Sequence, residues 1–112
     1  MTSTNPLRNI LGERPLPPLL THEQEIALAN RVSAGQAAEA RLQRKALTPK
    51  RRRYLREKLA DGLAAREALV LHNLPLVLSI AGRFRHSELG YDDLIQEGIL
   101  GLLKAADRYN PD

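Results

Sequence analysis

Apolar residues recur every three or four positions along most of the chain, which is the spacing of helices and not of strands. Thr21-His22-Glu23-Gln24 carries the capping-box pattern, a Thr with a Gln three residues on. Leu20 and Ile26 flank it as a hydrophobic staple. The pattern predicts a helix to about Ala34, stopped by Gly35, with Ile26, Ala29 or Asn30, and Val32 or Ser33 inward. A second helix is expected over Gln36 to Ala46. Thr48-Pro49 marks the next start and Gly62 the next stop. Another helix follows from Leu63 to Asn73, with Leu63, Ala64, Ala68, Leu69 and Leu71 or His72 inward. Pro75 would cost a helix interior roughly 3 kcal/mol, so a new helix is predicted from Leu76 to Arg85, with Val77, Ile80, Ala81 and Phe84 inward. HSELGYDD reads as a loop whose Asp92 caps a final helix ending near Arg108. At the other end, PLRNIL suits one or two turns capped by Asn5, and RPLPP cannot be helical. The sum is an all-α bundle of about five to six helices.

The final helix has an unusual surface. In DLIQEGILGLL, Leu94, Ile95, Gly98, Leu102, Ala105 and Ala106 share one broad face at about 100° per residue. Asp93, Gln96, Glu97 and Lys104 share the other. Leu100 falls within that polar face and Leu103 on its edge. On periodicity alone a solvated helix face is the plainer reading; Leu100 and Leu103 as apolar anchors with a polar rim would instead suit a helix–helix interface. Gly98 and Gly101 are expected inward, where close packing would offset the roughly 1 kcal/mol each costs against Ala.

Composition narrows the picture. Aromatics are only 4% of the 112 residues and Ala, Leu, Arg and Glu dominate, which favours helix. There is no cysteine, hence no disulfide and no thiolate metal site, as suits a cytoplasmic protein. His22, His72 and His86 lack metal spacing, and no nucleophile triad or phosphate loop is present. A non-catalytic protein without cofactor or small-molecule substrate is expected. The apolar stretch Leu69 to Ala81 is interrupted by His72, Asn73 and Pro75, so no membrane span is expected.

Charge is unevenly spread. Residues 41 to 58 hold nine of the 17 basic residues and one of the 13 acids, a net of +8. The remainder, with eight and 12, is net −4. Lys50, Arg51, Arg52, Arg53, Arg56 and Lys58 could neutralise DNA phosphates. The plainer reading is a solvated connector, with Tyr54, Leu55 and Leu59 as a thin apolar strip and the poorest packing in the chain.

The motifs now resemble a known family. NLPLVLSIAGRF, residues 73 to 84, is similar to the N-L-R-L-V-x-S-I-A-x-x-[YF] helix of bacterial RNA polymerase sigma factors of the primary, housekeeping-like class. DLIQEGILGLLKAADRY, residues 93 to 109, is similar to their D-L-I-Q-E-G-N-x-G-L-x-K-A-V-x-[KR]-[FY] helix. NPLRNIL and PLLTHEQEIALANRV resemble two upstream segments. The resemblance covers residues 5 to 36 and about 60 to 112. It leaves the basic insert unmatched. It implies an organisation in four parts: a proline-rich start over 1–20, a first conserved segment over 21–40, the insert over 41–60, and core-region helices over 61–112.

By resemblance, the last helix docks on the clamp coiled coil of the largest catalytic subunit of core RNA polymerase, through Asp93, Gln96, Glu97, Ile99 and Leu103; Leu100, placed by helical angle, joins them on the same face. Ile99 stands where the family usually has Asn, and Pro75 where it usually has a basic residue. The sequence closes at RYNPD, where a sigma factor continues into segments that melt and read promoter DNA. The expected role is therefore polymerase binding in transcription initiation by an incomplete sigma-like protein, as a competitor or as one part of a split factor. Two rivals are a small DNA-binding protein using residues 41–58 and a non-functional gene remnant.

Overall fold

The computed structural model describes residues 15–44, 46–84 and 90–108. Three helices make up the fold among these residues: α1, His22–Leu42; α2, Pro49–Arg83; and α3, Tyr91–Arg108. The short helix expected at PLRNIL lies outside the described residues.

The starts of α1 and α2 are set by local chemistry. The Thr21 hydroxyl accepts from the Gln24 backbone N–H at 3.2 Å, and the Gln24 side-chain oxygen accepts from the Thr21 N–H at 2.9 Å. This is the capping box read from the sequence. Thr48 accepts in the same way from the Arg51 N–H at 3.1 Å, with Pro49 opening α2. Helix α3 starts earlier than an Asp92 cap requires. The Leu94 N–H already donates to the Gly90 carbonyl at 3.1 Å. Asp92 and Asp93 instead occupy the first turn, where carboxylates offset the positive end of the helix dipole.

The predicted stops give way to packing. Helix α1 passes through Gly35 and α2 through Gly62, so the separate helices expected over 36–46 and 63–73 are continuations. The two glycines meet at a helix crossing. A Cβ on Gly35 would lie 2.8 Å from the Gly62 Cα, and one on Gly62 would lie 2.7 Å from the Gly35 Cα. Backbones this close exclude any side chain larger than hydrogen. The glycines therefore serve approach and not termination.

Pro75 also lies inside α2. Leu74, Val77 and Ala81, on either side of it, are buried on one strip facing α3. Burying a Leu or Val is worth roughly 1.5–3 kcal/mol, so an unbroken register offsets the proline's cost. The Asn73 amide donates to the Leu69 carbonyl at 2.6 Å, one turn back.

At 1.5 Å per residue α2 is about 52 Å long, close to the 55 Å long axis of the molecule. Helix α1 covers its N-terminal half and α3 its C-terminal half. Two clusters form the core. Val32, Ala65, Leu69 and Ala106 join all three helices, with Leu20 and Leu28 packed against them. Val70, Leu74, Ala81, Ile95 and Ile99 join α2 to α3. The inward residues of α1 resolve to Ala29 and Val32, followed by Gly35 and Ala38. In α2, Leu63, Ile80 and Phe84 were expected inward but are 56%, 47% and 55% exposed. Leu63 borders an open groove shared with Gln36 and Glu39 of α1 and Asp107 of α3, and Ile80 and Phe84 lie away from the buried strip. Ala64 is exposed as well.

Polar contacts lock the halves together. Arg66 donates to both carboxylate oxygens of Asp107, at 2.6 and 2.9 Å. The Gln36 amide donates to the Asp107 carbonyl at 3.0 Å. Arg31 grips Asp61 across α1 and α2 at 3.0 and 2.7 Å. His72 holds the proline-rich arm, with its Nδ1 2.7 Å from the Pro18 carbonyl oxygen. Among the described residues no three His, Asp or Glu side chains cluster as a metal site. Helix α2, which the sequence reading divided at Pro75, is long and apolar enough to cross a membrane by length and composition.

Candidate functional site

Helix α3 lies against α2 on one side only, and this decides which of its residues are displayed. Ile95 is fully buried, and Ile99 and Ala106 are 7% exposed. They fall at i, i+4 and i+11, a single strip facing inward. Leu94, Leu102, Leu103 and Tyr91 flank that strip, half-buried against the α2–α3 core. Asp93, Gln96, Glu97 and Lys104 are exposed, and Leu100 is 45% exposed among them.

Of the six residues assigned to the docking face, the structure brings Asp93, Gln96, Glu97 and Leu100 together on one solvent-facing surface. Leu103 sits at its edge with part of its side chain in the core. Ile99 is the exception. It belongs to the core, between Val70, Leu74 and Ala81 of α2. An apolar residue at that position enlarges the core and adds nothing to the displayed face. The apolar arc of α3 is broader than its contact with α2, and periodicity cannot tell which part of such an arc turns inward.

The two glycines of α3 also separate. A Cβ on Gly98 would come within 2.6 Å of a Val77 methyl. Val77 is buried and stiff at χ1, so Gly98 lets α3 approach α2. Gly101 is exposed, and a Cβ there would meet nothing within 4 Å, contrary to its expected inward placement.

The basic segment is helical from Pro49, as the Thr48-Pro49 start predicts. Residues 49–58 are the first turns of α2, anchored on α1 by Leu55, which is 2% exposed. Leu59 is half-buried and Tyr54 is 47% exposed. Lys50, Arg51, Arg53, Arg56 and Lys58 are exposed, and Arg52 is partly covered. The first turn of α2 contains no acid. Cations there oppose the helix dipole, at roughly 0.3–1 kcal/mol each when near the terminus. The Arg51 guanidinium carbon lies 5.2 Å from the centre of the Tyr54 ring and the Lys58 ammonium 5.6 Å from it. Both distances are within cation–π reach.

Charges meet at the crossing between α1 and α2. Hydrogen bonding from Arg31 holds the Asp61 carboxyl below the usual carboxylate range, aided by the charges of Arg31 and Lys58, against a smaller opposing effect of burial.

This arrangement, a helix with an acidic displayed face behind a capped helical stem, can be set beside known proteins. Residues 69–112 match the model for Sigma-70 region 2, and residues 18–38 match that for Sigma-70 factor, region 1.2. The chain therefore belongs to the sigma-70 family. It is 44% identical over 98 residues to the RNA polymerase principal sigma factor HrdC of Streptomyces coelicolor, an alignment covering 83% of this chain and 29% of that protein. It is 33% identical over 108 residues to an RNA polymerase sigma-B factor of a Nostoc species, covering 84% of this chain and 32% of the relative. It is 44% identical over 55 residues to the sigma factor SigA of Microcystis aeruginosa, covering 49% of this chain and 13% of the relative. The chain thus spans about a third or less of the length of these relatives. Neither family model reaches residues 39–68, where the basic turns of α2 lie.

Proposed function

We propose that this protein binds core RNA polymerase in the cytoplasm through the exposed face of α3 and acts without catalysis in transcription initiation. Asp93, Gln96 and Glu97 form the polar rim and Leu100 is the apolar anchor. Leu103 borders them, and Ile99 supports the face from beneath. The observation that carries the reading is the exposure of Leu100 among carboxylates on a helix within the sigma-70 region 2 match. A solvated face needs no leucine there, whereas a helical partner would bury it for roughly 1.5–3 kcal/mol. The partner surface is the clamp coiled coil of the largest catalytic subunit, where basic side chains would pair with the carboxylates.

The test is binding of the full chain to core polymerase and to the isolated clamp coiled coil. Gln96→Ala/Glu97→Ala should weaken both by tenfold or more, with unchanged circular dichroism. Excess chain should also displace a full-length sigma factor from the core enzyme. A folded chain that neither binds nor displaces would overturn the reading.

A further inference from the structure

We infer that the exposed basic flank of α2, from Lys50 to Lys58, is a binding surface for the sugar–phosphate backbone of nucleic acid, read without regard to base sequence. The choice of nucleic acid over other polyanions rests on the polymerase reading above, because a chain held on RNA polymerase is held beside a DNA template.

Elsewhere in the protein, arginines near the helix crossings are used up by carboxylates: Arg31 by Asp61 and Arg66 by Asp107. Among the described residues, none of the cations from Arg41 to Lys58 forms such an ion pair. The segment is also pre-ordered. Its helix is capped by Thr48 and seated on α1 through Leu55, so little conformational freedom is lost on binding. Tyr54 lies between Arg51 and Lys58 along one flank, within cation–π reach of both. Arg52, Arg53 and Arg56 line a shallow groove on the neighbouring flank together with Pro49, Ala60 and one acid, Glu57.

Other partners fit less well. A membrane-surface helix needs a large apolar face, but within residues 49–58 Leu55 is turned inward and Tyr54 is the one large apolar side chain exposed. Base readout by arginine needs several side chains to enter one groove together, but Arg51, Arg52 and Arg53 are consecutive and fan around the helix. Contact with phosphates is what such a spread of cations fits.

The position matters for function. Gly98 packs on Val77, so the acidic face of α3 sits near that level of α2. Arg53 lies about 36 Å away along the helix at 1.5 Å per residue. One end of the molecule would engage the enzyme while the other reaches along the template. Because the two surfaces do not overlap, each can fail without the other.

The experiment is fluorescence anisotropy of the full chain with a random-sequence DNA duplex of about 20 base pairs across a salt series. Five phosphate contacts predict a slope of log K against log salt of about −4 to −5. Arg53→Gln/Arg56→Gln should make the slope shallower by about 2 and lower affinity by at least tenfold at low salt. Arg53→Lys/Arg56→Lys should restore both. Arg83→Gln/Arg108→Gln removes the same charge from exposed positions elsewhere and should leave the slope unchanged. Gln96→Ala/Glu97→Ala should bind DNA as the parent does, which separates this inference from polymerase docking. No DNA binding at low salt, or equal losses in the two double Gln variants, would overturn it. So would binding to phosphatidylglycerol vesicles in place of DNA.

Discussion

The two halves of α2 are packed by opposite means. Its N-terminal half meets α1 through small residues: Gly35 on Gly62 at backbone contact, with Ala29, Ala38 and Ala65 buried nearby. Its C-terminal half meets α3 through large ones, with Leu74 and Ile95 completely buried and Val70 and Ile99 beside them. Small residues bring helices close but bury little area, so that half depends on geometry. Large residues bury more and tolerate graded change. The difference teaches why the two charged surfaces differ. The basic flank rides on a close-packed stem whose outer side is free. The acidic face rides on a thick apolar core that fixes how α3 is turned.

This contrast can be broken most severely at the large-residue end. Leu74→Ala or Ile95→Ala should destabilise the fold by about 2–5 kcal/mol, seen in thermal or urea unfolding. Loss of α3 order should remove the proposed polymerase binding at the same time. The small-residue end should respond to size and not to polarity. Gly62→Ala, which drives a methyl into the α1 backbone, should cost about 1–3 kcal/mol. A variant that folds with parental stability would refute the backbone contact.

The glycines of α3 sharpen the comparison. Gly98→Ala should destabilise because the Val77 methyl must shift. Gly101→Ala meets no neighbour and should stabilise by about 0.5–1 kcal/mol through helix propensity. Opposite signs for two glycines three residues apart would confirm how α3 is turned.

The smallest effect is expected from the crossing ion pair. Asp61 has its folded carboxyl pKa below the ordinary value of 3.8. Its contribution is therefore present above that pH and lost as pH falls through the lowered value. Melting temperatures from pH 6 to 2 should show a slightly flatter acid limb in Asp61→Asn. An identical limb would mean that solvent screens the pair entirely.

Much of this protein was legible in its sequence. Both helix caps were, because Thr21 with Gln24 and Thr48 with Pro49 satisfy or remove backbone donors within one turn. The all-helical class and the family were legible in periodicity and in the DLIQEG run. The exposure of Asp93, Gln96, Glu97 and Leu100 followed from helical angle alone.

What the sequence misjudged shares one cause. Gly35, Gly62 and Pro75 carry local preferences for ending a helix, yet each lies where a second helix rewards continuity. Gly35 and Gly62 are stops when alone and a contact when they face each other, and nothing within either segment states that they meet. Pro75 is tolerated because Leu74, Val77 and Ala81 must all face α3. Ile99 and Gly101 exchanged places for the same reason, since the apolar arc of α3 is wider than the surface of α2 and α1 that it packs on. Local hydrogen bonding and periodicity were thus determined by the chain itself. Helix length, rotation and the display of each surface were decided only when the helices packed, because those choices depend on area buried between residues far apart in sequence.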